Sequence, residues 1–194
     1  MIETIRNAEY DWFLWLNGFH TPVLDTIMYW ITHRFTWIPL YIFVIYYIFA
    51  KLKPHAWYKL AFILVSVGLA DRITSGFMKP HFERFRPCHD PIIGHLVHVV
   101  GGCGGQYGFA SSHAANSFAF MLAFILICPK QVKWKYFLVA WAILVSYSRI
   151  YVGVHYPTDL LAGALVGMLI TLIIYMTVNK LNQSLLTINE GFSH

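Results

Sequence analysis

The run from Leu160 to Val178 reads LLAGALVGMLITLIIYMTV. It carries no charged side chain. At about 1.5 Å of rise per helical residue, its length is close to the roughly 30 Å of hydrocarbon in a bilayer. The sequence therefore predicts a helix that spans a membrane.

The composition of the whole chain agrees with this prediction. Of its 194 residues, 58% are hydrophobic and only 12% are charged, which is too apolar for a soluble surface. Further apolar runs at residues 35–50, 60–78, 114–128 and 136–154 are candidate spans. We predict an all-α integral membrane helical bundle of five spans, with six as the alternative, in a single domain covering residues 1–194.

Residues 1–21 predict an amphipathic helix. A cleaved signal peptide is not favoured, because acidic residues interrupt any apolar core and no basic segment precedes it. The apolar positions at helical spacing are Ile5, Ala8, Trp12, Leu16 and Phe19, and the opposite polar positions are Glu3, Asn7, Asp11 and Asn17. Such a helix lies in the membrane interface or, equally well, packs on the bundle.

Lysines in two short loops set the expected orientation. Short loops rich in basic residues stay cytoplasmic. Two crossings separate the two loops, so both loops lie on the same face of the membrane. Their lysines are Lys51, Lys53, Lys59, Lys130, Lys133 and Lys135. Residues 79–110 and 149–157 then meet on the periplasmic side of an inner membrane. The net charge of +5 is spread over these loops, which does not indicate nucleic-acid binding.

The outer segment also holds Cys88 and Cys103, while Cys128 lies near the other face. An oxidising compartment permits a disulfide between the first two cysteines. Three unpaired thiols are an equally acceptable interpretation of the sequence.

Cationic residues at span ends indicate a phosphate site. Lys79, Arg86 and Arg149 are suited to gripping phosphate oxygens, and arginine can bind two of them at once. Arg149 lies within the fourth apolar run, where a charge is costly unless it serves a site. Helix starts bind anions as well, and we expect one at Ser111 or Ser112 and another at Pro157.

Two histidines complete the chemistry. A neutral His155 can attack phosphorus, and Asp159, four residues later, can fix its tautomer and stabilise the cationic ring. His113 is the candidate general acid for the leaving oxygen.

A polar stripe is predicted on the second span, where Asp71, Ser75 and Lys79 recur every four residues. Asp71 then orients Lys79 or Arg86, or it offsets the neighbouring Arg72.

These residues resemble the motifs of the type-2 phosphatidic acid phosphatase superfamily, which includes the vanadium haloperoxidases. The chain reads KPHFERFRP at residues 79–87, matching Lys, six residues, Arg-Pro, and it matches Ser-Arg, five residues, His, three residues, Asp from Ser148 to Asp159. The middle motif, Pro-Ser-Gly-His in the family, reads Ala110-Ser111-Ser112-His113 here. The resemblance spans residues 71–167.

The resemblance implies a membrane phosphatase that needs no cofactor and no metal. Its implied roles are phosphate binding by Lys79, Arg86, Arg149 and the Ser111-Ser112 segment, with His113 as acid, His155 as nucleophile and Asp159 as its partner. The implied substrates are undecaprenyl diphosphate, phosphatidylglycerophosphate, phosphatidic acid or lipid A phosphates.

The sequence also allows other interpretations of its function. The outer-segment histidines could hold zinc; they are His81, His89, His95 and His98. A small transporter or channel subunit would also carry intramembrane charges. A soluble haloperoxidase conflicts with the apolar spans. Gly163 and Gly167 are typical of tight helix packing.

Overall fold

The structure, a computed structural model, describes residues 2–191, with side chains at residue 4 and from residue 6 to residue 181. The regular secondary structure of that part is helical, with one isolated bridge between Phe85 and Tyr107. The predicted all-α fold is therefore confirmed. The α-helices are α1 Ile2–Asn17, α2 Pro22–Thr32, α3 Ile38–Lys51, α4 Ala56–Asp71, α5 Lys79–Phe82, α6 Ser112–Ile127, α7 Phe137–Tyr151 and α8 Pro157–Gly191.

Helices α4 and α5 form one continuous helix, joined by a π-helical segment at Arg72–Met78. A π segment widens the turn and is frequent near functional sites. Despite this wider turn, Asp71, Ser75 and Lys79 all line the same cavity. The predicted polar stripe is confirmed.

Two helices of the described part are long and apolar enough to cross a membrane. They are Ala56–Phe82 and the Pro157–Leu181 part of α8, while Ser112–Ile127 is apolar but shorter. These helices cover the predicted runs 60–78 and 160–178, and all but the last residue of the run 114–128. The number of spans stays a prediction.

Helix α2 was not predicted from the sequence. Its signals are local: Thr21 caps it by accepting a hydrogen bond from the Leu24 backbone, and Pro22 occupies the first turn. The helix is only 11 residues long and contains Asp25, so a search for long apolar runs missed it.

The two lysine loops lie at the same end of the bundle. Leu52 and Cys128, one from each loop, belong to one buried apolar cluster. Lys135 donates to the Cys128 and Pro129 carbonyls at 2.9 and 3.0 Å, so it satisfies carbonyls at the C-terminal end of α6. Lys59 does the same for Leu52 at 2.6 Å.

Helices α6 and α8 pack closely through Gly163 and Gly167. A Cβ on Gly163 would lie 2.3 Å from the Ser111 carbonyl oxygen, and one on Gly167 would lie 2.2 Å from the Ala115 oxygen. No side chain fits there without moving a backbone. The packing predicted for this glycine pair is confirmed.

Helix α1 packs on the bundle, but not in the predicted orientation. Asn17 was predicted to lie on the polar face, yet it is buried. Its side-chain amide is satisfied there by hydrogen bonds to the backbone of His98, Ile150 and Tyr151. Phe13 is fully buried, whereas Trp12 and Phe19 are exposed. The side chains of Glu3 and Ile5 lie outside the described residues. Contact of the exposed face with the membrane interface stays a prediction.

Candidate phosphate site

A cavity of about 820 Å³ opens at the end of the bundle remote from the lysine loops. Six of the eight predicted site residues line it, drawn from α5, α6, α7 and the segments that follow α5 and α7; they are Lys79, Arg86, Ser112, His113, Arg149 and His155. The other two, Ser111 and Asp159, are buried behind it. Residues 79–110 and 149–157 thus both contribute to one cavity, and they meet in space as the sequence predicted.

His155 stands between the cavity and Asp159. Its Nδ1 lies 3.4 Å from Asp159 Oδ2, and that same oxygen accepts the Tyr156 backbone N–H at 3.0 Å. His155 is 1% exposed and Asp159 is fully buried. With Nδ1 turned toward the carboxylate, Nε2 is the ring nitrogen available to a ligand.

Burial lowers the pKa of His155 well below its usual range, and the positive charges of Arg149, Arg86 and Lys79 lower it further. An imidazole in this environment is neutral at physiological pH. A neutral ring keeps one nitrogen lone pair free, which nucleophilic attack requires.

Lys79 is held by a chain of polar contacts along the cavity wall. Its Nζ donates to Ser112 Oγ at 2.6 Å, and Ser112 Oγ lies 2.8 Å from Ser75 Oγ. Asp71 accepts from Asn116 at 3.0 Å and from Ser75 at 3.5 Å. The direct partners of Asp71 in the described part are thus an amide and a hydroxyl, and not the cations that the sequence suggested.

The two arginines of the cavity are fixed by different elements. Arg86 Nε donates to the Tyr107 carbonyl at 3.2 Å. Arg149 donates to Thr32 at the end of α2, and its Nε is buried without a partner among the described residues. A buried guanidinium N–H without a partner is costly, so Arg149 has hydrogen-bonding capacity left for an anion.

Ser111 takes the role of helix cap. Its Oγ accepts from the Ala114 backbone at 3.5 Å, and its own N–H donates to the Asp159 carbonyl at 3.0 Å. These bonds join the starts of α6 and α8. Ser111 does not line the cavity, so its contact with phosphate stays a prediction.

The sequence reading missed two residues that shape this site. Gly153 turns the chain between Arg149 and His155 with φ of +81°, and a Cβ there would lie 2.6 Å from the His98 oxygen. Only glycine fits such a turn. Arg84 Nη1 donates to Asp159 Oδ1 at 2.6 Å, on the side of Asp159 away from the cavity. The position of Arg84 between Lys79 and Arg86 in the sequence was the signal that could have revealed its role.

Cys88 and Cys103 form a disulfide in the structure, which confirms one of the two readings of these cysteines. His89 lies within 4.8 Å of both sulfur atoms. Two of the histidines considered for zinc make other contacts. His98 Nε2 lies 2.9 Å from Asp25 Oδ1, and His81 stacks on Phe77.

Comparison with known proteins assigns the chain to a family. The sequence profile of the PAP2 superfamily matches residues 56–183. The chain is 37% identical to a lipid A 4'-phosphatase of Bacteroides thetaiotaomicron, over 95% of this chain and 83% of that protein. It is likewise 37% identical to a lipid A 4'-phosphatase of Porphyromonas gingivalis, over 90% and 74%.

Solved structures agree with the fold. The crystal structure of Aquifex aeolicus LpxE matches with a TM-score of 0.66 at 26% identity, over 84% of this chain and 92% of that one. A PAP2-type phosphatidylglycerolphosphate phosphatase from Bacillus subtilis matches with a TM-score of 0.66 at 22% identity, over 91% and 87%.

The apolar helices, the fold and these relatives define a membrane phosphatase that acts on lipid phosphates. The chain belongs to the PAP2 superfamily.

Proposed function

We propose that the protein removes the 4'-phosphate of a lipid A-type glycolipid, with His155 as the nucleophile. The observation that carries this proposal is one cavity lined by three cationic side chains and two histidines. The choice of substrate rests on the two lipid A 4'-phosphatases that are 37% identical over nearly the whole chain.

Binding of the phosphate falls to Lys79, Arg86 and Arg149. Phosphoryl transfer depends mainly on positioning and on charge stabilisation around the phosphate oxygens. Arg149 has an unpartnered Nε, and Lys79 is aimed by Ser112. The start of α6 beside the cavity adds backbone N–H groups and positive helix potential.

In the first step, the Nε2 lone pair of His155 attacks phosphorus and the bond to the glycolipid oxygen breaks. Asp159 accepts the Nδ1 proton in a hydrogen bond and stabilises the positive ring that forms. His113 gives its proton to the departing oxygen.

In the second step, water attacks the phospho-histidine. His113, now neutral, accepts a proton from that water, and the nitrogen–phosphorus bond breaks to release inorganic phosphate. The electron pair of this bond returns to Nε2, and the enzyme regains its starting state.

The protein crosses the membrane five times, through α3, the continuous helix Ala56–Phe82, α6, α7 and α8. The shared end of the two lysine loops supports a cytoplasmic position for that end. The cavity then opens on the periplasmic side. A disulfide between Cys88 and Cys103 on that side fits an oxidising compartment.

Phosphate release by the purified protein from a panel of lipids tests the substrate. The panel contains lipid A, undecaprenyl diphosphate, phosphatidylglycerophosphate and phosphatidic acid. We expect the highest kcat/KM with lipid A, and mass spectrometry of the product should show loss of the 4'-phosphate. A preference for undecaprenyl diphosphate would refute the substrate assignment.

Substitution of the nucleophile tests the mechanism. His155→Asn should abolish turnover and leave the fold intact, because asparagine keeps polarity but has no nucleophilic nitrogen. Acid-labile phosphate should be trapped on His155 when the wild-type enzyme is quenched during turnover of radiolabelled lipid. Substantial activity in His155→Asn would disprove the nucleophile assignment.

A further inference from the structure

Arg84 joins three elements directly behind the nucleophile. Its Nη1 donates to Asp159 Oδ1 at 2.6 Å and to Thr158 Oγ1 at 2.7 Å, and its Nη2 donates to Glu9 of α1. The guanidinium lies 4.4 Å from the centre of the Tyr156 ring. One cation is thus held by two carboxylates that lie far apart in the sequence, Glu9 and Asp159.

Arg84 lies outside the large cavity. It is absent from the lining of the large cavity and instead borders a separate space of about 220 Å³. Arg86, two residues later, does line the large cavity. The two neighbouring arginines therefore serve different sides of Asp159.

The Asp159 carboxylate divides its oxygens between Arg84 and the nucleophile. Oδ1 accepts from Arg84, while Oδ2 accepts from Tyr156 and faces His155 Nδ1. The Asp159 side chain is fully excluded from solvent. A buried carboxylate without a cationic partner is strongly disfavoured and neutralises or moves. Arg84 supplies that partner and fixes the plane of the carboxylate.

Arg84 is itself held in place from outside. Glu9 accepts from both Arg84 and Thr158. Helix α1, which carries Glu9, is fastened nearby because Tyr10 and Tyr156 both donate to Asp90, at 2.9 and 2.8 Å. The position of Arg84 is therefore coupled to the docking of α1.

We propose that Arg84 is a positioning residue that holds Asp159 against His155, and that Glu9 on α1 holds Arg84 in turn. This inference rests on the proposed role of His155 as nucleophile. Arg84 acts on the reaction only through Asp159, so its loss should slow phosphoryl transfer without weakening the binding of lipid.

The first test is the kinetics of Arg84→Ala in the purified, full-length protein. We expect kcat to fall by about 10- to 100-fold, the loss typical when partners that orient a metal-bound histidine are removed, with KM unchanged. Glu9→Gln should lower kcat by a smaller factor in the same direction. Arg6→Ala is the matched control, since Arg6 borders the same small space, and its kcat should equal that of the wild type.

The second test combines Arg84→Ala with Asp159→Asn. Without the carboxylate, Arg84 has nothing to position, so adding Arg84→Ala to Asp159→Asn should slow single-turnover phosphorylation less than about twofold. A merely structural arginine would cost as much in both backgrounds. Melting of each variant in detergent shows whether it is folded. If Arg84→Ala does not fold, Arg84→Lys and Glu9→Gln decide, each compared with and without Asp159→Asn.

The outcomes separate the two proposals. An unchanged kcat in Arg84→Ala, a raised KM alone, or an undiminished loss in the Asp159→Asn background would overturn the role of Arg84. If Glu9→Gln has the kcat of the wild type, the role of α1 is overturned. Activity in His155→Asn would instead remove the mechanism on which the inference depends.

Discussion

Gly163→Ala should separate α6 from α8 and damage stability and catalysis together. The added Cβ would lie 2.3 Å from the Ser111 oxygen, whereas heavy atoms in ordinary contact lie about 3.5 Å apart. The helices must therefore move by on the order of 1 Å at this point. Overpacking of this kind costs about 1–3 kcal/mol, or roughly 2–12 °C in melting temperature for a chain of this size.

Catalysis should suffer because the same contact sets the site. Ser111 N–H donates to the Asp159 carbonyl at 3.0 Å, and α6 also carries His113. A shift of α6 from α8 therefore moves His113, the proposed acid, away from Asp159. A misplacement of about 1 Å can cost as much as 100-fold in rate.

Gly68→Ala is the control for Gly163→Ala. Gly68 lies in α4, and a Cβ there would meet nothing within 4 Å, so alanine should gain about 1 kcal/mol of helix propensity. The assays are thermal melting in detergent and phosphate release from lipid A. Equal melting temperatures and equal kcat for the two variants would refute the argument from close packing.

Two further predictions concern the cavity. Ser112→Ala removes the hydroxyl that accepts from Lys79, so KM should rise by about fivefold, corresponding to one hydrogen bond of about 1 kcal/mol; an unchanged KM in steady-state kinetics would show that Lys79 needs no such support. His155 should remain neutral at pH 6.5, because burial and neighbouring positive charges lower its pKa. His155 should therefore bind its proton only at lower pH. A ¹⁵N NMR titration measures this, and the His155 signal is assigned by its loss in His155→Asn. A titration midpoint at or above about 6.5 would contradict the prediction.

The amino-acid pattern was sufficient to predict the class of fold and six of the residues that line the cavity. Apolar runs long enough for a bilayer require helices, because the backbone must satisfy its own hydrogen bonds there. Ionisable side chains within or next to such runs are costly, so Lys79, Arg149 and His155 were recognised as candidates without any knowledge of their neighbours. The polar stripe through Asp71 followed from local spacing alone.

The pairing of these residues depends on long-range packing, which the sequence pattern does not reveal. Asp71 bonds Asn116 and Ser75, and Asn17 turns inward, because long-range packing selects the partner of a polar group. Arg84 and Glu9 are separated by 75 residues, so no local pattern could pair them. Periodicity and spacing report which face of a helix a residue occupies, but the element that covers that face is set by the packing of the whole chain.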